Sequence, residues 1–215
     1  LIERTFLILL PDMGQSCSDV FNFGFRKTTA DIFFGEKPNY LRCQQILPEP
    51  DVPVELITQA AKEADVAIIV IHRYSSEDWD RSAEKGDFYL TDQEQQLVDR
   101  VTAAFAHSVA VLNVGGMIDV SWIRNNPKID GALLAWQAGM EGGLAIADLL
   151  CGDVNPSGKL VDTFAKEFSD YPSADTFNES DDYVDYFEDI YVGYRYFETI
   201  PGARDNVIYP FGYGL

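Results

Sequence analysis

The chain has 215 residues, of which 47% are hydrophobic and 13% aromatic, a composition typical of a folded globular protein. Its 35 acidic residues outnumber its 16 Lys and Arg residues, so the formal net charge is −19. This charge argues against nucleic-acid and membrane partners, because phosphate groups and anionic lipids need clustered basic side chains. Neutral ligands such as sugars remain compatible with it.

Short apolar segments alternate with helical patterns along the chain, as they do in a parallel sheet with crossover helices. Several of these segments are hydrophobic at consecutive positions, which is typical of strands covered on both faces. The predicted strands are Thr5–Leu10, Leu41–Leu47, Val66–Ile71, Val109–Val114 and Gly131–Trp136. The pattern predicts an α/β fold, a three-layer sandwich with a mainly parallel sheet flanked by helices.

Helices are predicted between the later strands. Residues Val54–Ala64 carry apolar side chains at helical spacing. Thr91 and Glu94 form the pattern of a capping box, which predicts a helix from Thr91 to about Phe105. A third helix is predicted from about 141 to 150, ended by Gly152. The core face expected for the second helix is Leu97, Val101, Ala104 and Phe105.

The composition changes near residue 167. Between Glu167 and Tyr194 there are nine acidic residues and no Lys or Arg, mixed with aromatic side chains. We expect an irregular acidic and aromatic arm over residues 167–189, with order returning near Ile190–Glu198. The acids are also compatible with a plain solvated face. The whole chain, residues 1–215, is predicted to be a single domain with this arm attached.

The cysteine and histidine content argues against a disulfide framework and a metal site. Cys17, Cys43 and Cys151 are far apart, and His72 and His107 lie in no zinc-like pattern. We therefore expect buried thiols, no metal and no cofactor. Buried thiols favour a reducing, cytoplasmic compartment, whereas a secreted or periplasmic protein with one bridged pair fits the same content.

The connection between His72 and Leu90 carries the strongest candidate site. It follows the most apolar strand, and ligands of open α/β sheets bind at the carboxyl ends of strands. Glu77 and Asp80 are three residues apart, with Trp79 between them and Arg81 beside the second. Glycoside hydrolysis generally uses two carboxyl groups, and an indole can stack on a sugar. Arg81 would keep Asp80 ionised, whereas Glu77 lacks such a partner and suits the role of proton donor.

Other interpretations of this connection stay open. The five acidic residues from Glu77 to Asp87 also fit a hydrated surface loop. His72 is a candidate for binding a ligand hydroxyl, and a structural role explains it as well. Trp122 and Trp136 are assigned to the core rather than to a sugar platform. No GxSxG, phosphate-loop or GxGxxG motif is present, so no motif in the sequence supports a serine-hydrolase or a nucleotide-binding function.

Several long segments resemble family 3 glycoside hydrolases. The resemblance extends over about 54–215, and residues 11–50 match poorly. The segments that carry it are Val109–Trp122 (VAVLNVGGMIDVSW), Gly131–Gly143 (GALLAWQAGMEGG), Ala147–Leu160 (ADLLCGDVNPSGKL), Ile190–Glu198 (IYVGYRYFE) and Tyr209–Leu215 (YPFGYGL).

The resemblance implies the α/β sandwich that follows a TIM-like barrel in a retaining exo-β-glycosidase, above all in a β-glucosidase. In that family the barrel carries an aspartate nucleophile, and the sandwich contributes the acid/base glutamate from a loop that typically reads Gly-Glu-x-x-Asp-Arg. Here Ser76-Glu77-Asp78-Trp79-Asp80-Arg81 keeps Glu, Asp and Arg in register. This assigns the general acid/base to Glu77 and substrate binding to Trp79, Asp80, Arg81 and His72.

The implied partners are β-glucosides or oligosaccharides and a barrel domain upstream of Leu1. No segment resembles the nucleophile motif, so the chain is expected to be a fragment of a larger enzyme and to be inactive alone. A β-xylosidase or β-N-acetylglucosaminidase is an alternative specificity, although the latter branch takes its acid/base from the barrel. A non-catalytic carbohydrate-binding or interaction domain of the same fold is the alternative function. Homo-oligomerisation stays open.

Overall fold

The structure is a computed structural model that describes residues 51–73, 82–176, 179–180 and 182–215, together with the backbone of the strand Phe6–Leu9. The chain divides into two compact units. Unit 1 consists of Leu1–Glu77, Thr91–Gly116 and Pro127–Val154, and unit 2 of Asp78–Leu90, Met117–Asn126 and Asn155–Leu215. The single domain expected from the sequence stays a prediction.

Unit 1 is built on a four-stranded sheet in which all neighbouring strands run parallel, in the order β1-β2-β3-β4. The strands are β1 (Phe6–Leu9), β2 (Val66–His72), β3 (His107–Asn113) and β4 (Ile129–Leu134). The predicted α/β class with a parallel sheet is therefore confirmed. The strand predicted at Leu41–Leu47 lies outside the described residues.

Strands β3 and β4 both begin two residues earlier than predicted. The first residues of β3 are polar, so the apolar pattern hides them, yet they pair in register with β2: His107 lies opposite Val66. The amide of Ser108 also donates to the carbonyl oxygen of Lys128 at 3.1 Å. Hydrogen bonding therefore extends the sheet beyond its apolar part.

Three helices of unit 1 agree with the predictions: α1 (Val54–Glu63), α2 (Asp92–Ala104) and α4 (Gly142–Cys151). The capping box of α2 is confirmed, because the Glu94 amide donates to the Thr91 hydroxyl at 3.0 Å and the Thr91 amide donates to the Glu94 carboxylate at 2.8 Å. Gly152 ends α4 in the left-handed conformation with φ 80°, which suits glycine. No helix in the described part of the chain is long and apolar enough to cross a membrane.

The core of unit 1 lies on both faces of the sheet. On one face Ile68, Val70 and Val111 pack with Ile146 of α4. Side chains alternate along a strand, so Ala67, Ile69 and Ile71 of β2 point to the other face of the sheet. These side chains are also fully buried, and α2 packs against β2 and β3. Helices and sheet therefore form the layers that the sequence predicts.

Two details of burial differ from the sequence predictions. Ala104 is exposed, whereas Glu94, Val98 and Thr102 are buried on the core face of α2 together with the correctly predicted Leu97, Val101 and Phe105. The contacting stripe starts one turn earlier than the apolar pattern indicates, since it begins on a carboxylate. Cys151 is free and exposed rather than buried: in the last turn of α4 it is Leu150, not Cys151, that packs against the core.

Unit 2 has its own small sheet and core. Its elements are α3 (Ser121–Arg124), β5 (Phe164–Ala165), a 3-10 turn (Phe168–Asp170), α5 (Tyr194–Thr199), a second 3-10 turn (Ala203–Asn206) and β6 (Val207–Tyr209), with β5 and β6 antiparallel. Its core centres on Ala165, Phe197 and Ala203. Between the first 3-10 turn and α5 the described residues contain no helix or strand, as expected of the irregular arm.

Tyr171 ties the start of the arm to this core. Its hydroxyl accepts a hydrogen bond from the Ala165 amide at 3.0 Å and donates to the Thr163 carbonyl oxygen at 3.2 Å. Its ring packs edge to face on Phe88 and Phe197. Burial raises the pKa of the Tyr171 phenol from 10 to about 12, because the phenolate would lose its hydration.

We expect Tyr171 to make the chain lose stability at alkaline pH. Unfolded tyrosine titrates near pH 10 and folded Tyr171 near pH 12, so between these values the unfolded state binds fewer protons. The stabilisation is therefore complete below pH 10 and is lost as the pH rises to 12. Urea denaturation across this range should show a smaller decrease in the free energy of unfolding for Tyr171→Phe than for wild type. Tyr186→Phe, at an exposed position, is the matched control and should behave like wild type. If the free energy of unfolding falls equally with pH in all three proteins, the role of Tyr171 is contradicted.

Candidate active site

The predicted site lies where β2 ends. Because the sheet is parallel, the carboxyl ends of β2, β3 and β4 lie at the same end of the sheet. Ligands of such sheets bind at this end. His72 is the last residue of β2, is half-buried and lies in register with Asn113, the last residue of β3. The predicted site residues Glu77, Trp79, Asp80 and Arg81 lie outside the described residues. Their roles and that of His72 stay predictions.

Arg73, the residue after β2, is buried, and the sequence analysis missed it. Its guanidinium group forms two parallel hydrogen bonds to the Glu94 carboxylate, Nη1 to Oε1 at 2.6 Å and Nη2 to Oε2 at 2.8 Å. Nη1 also donates to the carbonyl oxygen of His72 at 2.8 Å. The Arg73 amide donates to the Asn113 carbonyl oxygen at 3.1 Å, which continues the β2–β3 ladder by one step. Both the backbone and the side chain of Arg73 are therefore held.

Glu94 links this arginine to the start of α2. The same Oε2 atom that accepts from Arg73 also accepts from the Thr91 amide at 2.8 Å. The side chains of Arg73 and Glu94 are only 5% and 6% exposed, so their ion pair is largely shielded from water. One carboxylate thus completes a helix cap and neutralises a buried arginine.

One signal in the sequence could have identified Glu94. It is three residues before Leu97 and seven before Val101, so it lies at the first position of the helix stripe that the core covers. A glutamate on a buried stripe needs a cation, and such a partner had to be sought elsewhere in the chain. The capping box explains Glu94 on its own, and this is why the sequence offers no reason to look for Arg73.

The end of the same connection, residues 82–90, is part of unit 2 and is closed by its own hydrogen bonds. The Ser82 amide donates to the Asp87 carboxylate at 2.6 Å, and the Gly86 amide donates to the Tyr89 carbonyl oxygen at 2.8 Å. Asp87 therefore has a structural role within this turn.

The two tryptophans that the sequence assigns to the core differ in burial. Trp122 is 7% exposed and its indole N–H donates to the Asp119 carbonyl oxygen at 3.0 Å, which confirms its place in the core of unit 2. Trp136 follows β4, is half-buried and has a φ of 51°, a backbone conformation that is rare for residues other than glycine. Among the described residues no group of three or more His, Cys, Asp or Glu side chains could hold a metal ion.

The comparison with protein families is decisive. The family model described as the glycosyl hydrolase family 3 C-terminal domain matches residues 22–215. The chain belongs to this family. The match begins well before residue 54, where the quoted motifs start, so part of the N-terminal region that seemed to match poorly also belongs to the family 3 C-terminal domain.

Curated relatives of this family 3 C-terminal domain include beta-glucosidase A of Butyrivibrio fibrisolvens, 50% identical over 192 residues, with 79% of this chain and 23% of that protein covered. The beta-glucosidase of Ruminococcus albus is 44% identical, with 80% and 18% covered. An exo-alpha-(1->6)-L-arabinopyranosidase of Bifidobacterium longum is 36% identical, with 73% and 20% covered. The chain thus spans about a quarter or less of the length of these relatives.

Solved structures give the same result. The beta-glucosidase of Paenibacillus barengoltzii superposes with a TM-score of 0.74 at 45% identity and covers 78% of this chain and 18% of its own. Beta-glucosidase 3B of Thermotoga neapolitana, in complex with glucose, superposes with a TM-score of 0.71 at 46% identity and covers 79% and 24%. The parallel sheet and helices of the family 3 C-terminal domain are therefore those of β-glucosidase structures.

We expect Arg73→Met to destabilise the family 3 C-terminal domain by about 3–5 kcal/mol, because it leaves the buried Glu94 carboxylate without a counter-ion. The double variant Arg73→Met/Glu94→Gln should lose clearly less, since the charge of Glu94 is removed together with that of Arg73 and glutamine can still serve a capping box. Urea denaturation measures both. An equal loss of free energy of unfolding in the two variants would show that an unpaired charge is not the cause.

Proposed function

We propose that this chain is the second domain of a retaining exo-β-glycosidase of the β-glucosidase type, and that Glu77 is its general acid/base. The observation that carries the proposal is the family membership, combined with the sequence Glu77-Asp78-Trp79-Asp80-Arg81, which keeps the family's Glu, Asp and Arg in register. The described strand that precedes this segment supports it, because β2 ends at His72, five residues before Glu77, at the carboxyl end of the parallel sheet, where ligands of such sheets bind.

In this mechanism the protonated Glu77 donates its proton to the glycosidic oxygen while the bond to the sugar breaks. A carboxylate nucleophile from another part of the protein attacks the anomeric carbon and forms a covalent glycosyl-enzyme. Glu77, now ionised, takes a proton from the water that hydrolyses this intermediate. The two carboxyl groups of a retaining glycosidase lie about 5 Å apart, so Glu77 can act only when the nucleophile is brought close to it.

The proposed substrate is a terminal β-linked glucoside or gluco-oligosaccharide. Relatives named beta-glucosidases at 50% and 44% identity support this class. Within it, Trp79 would stack on a sugar face, and Asp80, Arg81 and His72 would bind hydroxyl groups. The 36% identical arabinopyranosidase shows that enzymes with this C-terminal domain differ in their sugar, so the choice of sugar is assigned mainly to groups outside the chain.

The proposed partner is the N-terminal barrel domain of the same enzyme. The arm of unit 2 supports it, since its large apolar side chains are exposed, up to 83% for Tyr186 and 72% for Phe187. Contiguous exposed apolar surface generally marks an interaction site. The matched region is 23% and 18% of the length of these two relatives, so they contain further sequence that could cover such a surface. Among the described residues, Tyr183 and Val184 are further exposed apolar members of the arm, and the residues that follow it, Ile190, Tyr191 and Val192, are exposed as well.

The acid/base role predicts a specific pattern of activity loss. We suggest joining the chain to the remaining part of beta-glucosidase A of Butyrivibrio fibrisolvens and testing Glu77→Gln on aryl glucosides. Removal of a general acid should lower kcat/KM for a poor leaving group by roughly 10²–10⁴-fold, with little effect on a good one. Azide should partly rescue Glu77→Ala on substrates with good leaving groups.

Glu84→Gln is the matched control for this test. Glu84 is an exposed acid of the same connection and should be replaceable without loss of activity. If Glu77→Gln and Glu84→Gln both keep near-normal activity and the normal dependence on the leaving group, Glu77 is not the acid/base. That result would favour the alternative function, a non-catalytic carbohydrate-binding or interaction domain.

The barrel interface predicts a difference between the chain alone and the joined protein. Replacing Tyr186 and Phe187 by serine should change the free energy of unfolding of the chain alone by less than about 0.5 kcal/mol, as at other exposed positions. In the joined protein the same change should lower the melting temperature and the activity. Leu56→Ser, at an exposed position of α1, should affect neither protein. A joined protein that tolerates the double replacement would refute the arm as the interface.

A further inference from the structure

The Arg73–Glu94 ion pair connects the two ends of the segment that carries Glu77. Arg73 is the residue before Tyr74, where the segment starts, and Thr91 is the residue after Leu90, where it ends. Glu94 binds both of them, through the guanidinium group of Arg73 at 2.6 and 2.8 Å and the amide of Thr91 at 2.8 Å. A single buried carboxylate therefore fixes where the chain leaves β2 and where it enters α2.

We propose that Arg73 and Glu94 are positioning residues for the acid/base Glu77, and this rests on the proposed function. The pair holds Arg73 and Thr91, the residues on either side of 74–90, at a fixed separation, and Glu77 is only four residues from Arg73 in the sequence. A catalytic group must be held within a fraction of an ångström of its productive place, which rigid elements with locked side chains achieve best.

Both residues are suited to this role because hydrogen bonds hold the backbone and the side chain of each in one orientation. The Arg73 backbone continues the β2–β3 ladder, and its planar guanidinium makes a two-point contact that a single-point ammonium could not reproduce. Glu94 lies in the first turn of α2, where its own amide is bonded to the Thr91 hydroxyl. The contact thus joins a strand end to a helix start with fixed geometry.

A direct role in substrate binding does not fit Arg73. Its side chain is 5% exposed, and its guanidinium already donates to both Glu94 oxygens and to the His72 carbonyl oxygen. A role in stability alone explains the pair less well, because well-packed apolar residues usually replace a buried ion pair at no loss of stability. What apolar residues cannot supply is the directed link between Arg73 and Thr91.

The test compares two substrates in the joined enzyme described above. For an aryl glucoside with a poor leaving group, such as phenol, kcat/KM depends on proton donation, whereas for 2,4-dinitrophenol it does not. The ratio to be measured is kcat/KM for the phenyl glucoside divided by kcat/KM for the 2,4-dinitrophenyl glucoside. We expect Arg73→Met/Glu94→Gln to lower this ratio by roughly 10- to 100-fold, the loss that a misplaced catalytic group causes. A loss of folded enzyme lowers both values equally and leaves the ratio unchanged.

Three further variants make the outcome unambiguous. Arg73→Lys keeps the charge and should lower the ratio less than the double variant, which also gives a result if the double variant folds poorly. Arg100→Met removes an exposed ion pair between α2 and Asp51 and should leave the ratio unchanged. Glu77→Gln should lower the ratio most. If Glu77→Gln leaves the ratio unchanged, the proposed function fails. If Glu77→Gln lowers it but the double variant does not, or if Arg100→Met lowers it as much, the positioning role alone fails.

Discussion

Complete burial of β2 is the constraint on which unit 1 depends. Residues Val66–Ile71 are all apolar and all buried, so this strand needs a hydrogen-bonding neighbour on each edge and a cover on each face. Strands β1 and β3 meet the first need, and the helices meet the second. A strand so enclosed has to end abruptly where polar chain resumes. In this molecule it ends on His72, and the charged Arg73 follows.

That abrupt end places a charge where water is excluded. Arg73 is still inside the protein when the apolar strand stops, so its guanidinium needs a carboxylate close by. Glu94 meets this need and at the same time completes the cap of α2, so the electrostatics of the strand end and the start of the helix are solved by one side chain. Packing of the sheet and the start of α2 are therefore coupled through this pair.

The sequence predicts those parts of the structure that depend on local pattern. Apolar runs identify the four described strands of unit 1 but not the short β5 and β6 of unit 2, and the Thr91–Glu94 box and Gly152 place helix boundaries within a residue or two. Interactions between distant residues are not predicted in this way. The pairing of Arg73 with Glu94 spans 21 residues, and the exposure of Cys151 depends on which side of α4 is covered. The assignment of Glu77 came from a family motif, because five acids in one segment look alike to physical reasoning alone.

The division of the chain into interleaved units has a consequence for synthesis on the ribosome. The described part of unit 1 ends at Val154, so all of it has been translated before the last segment of unit 2 emerges. Unit 2 has to wait, because β5 pairs with β6 only when residues 207–209 are available, and Lys159 binds the carbonyl oxygen of Gly214 at 2.9 Å. Residues 82–90 and 117–126, which belong to unit 2, therefore cannot complete their packing on the ribosome until residues 155–215 have been translated.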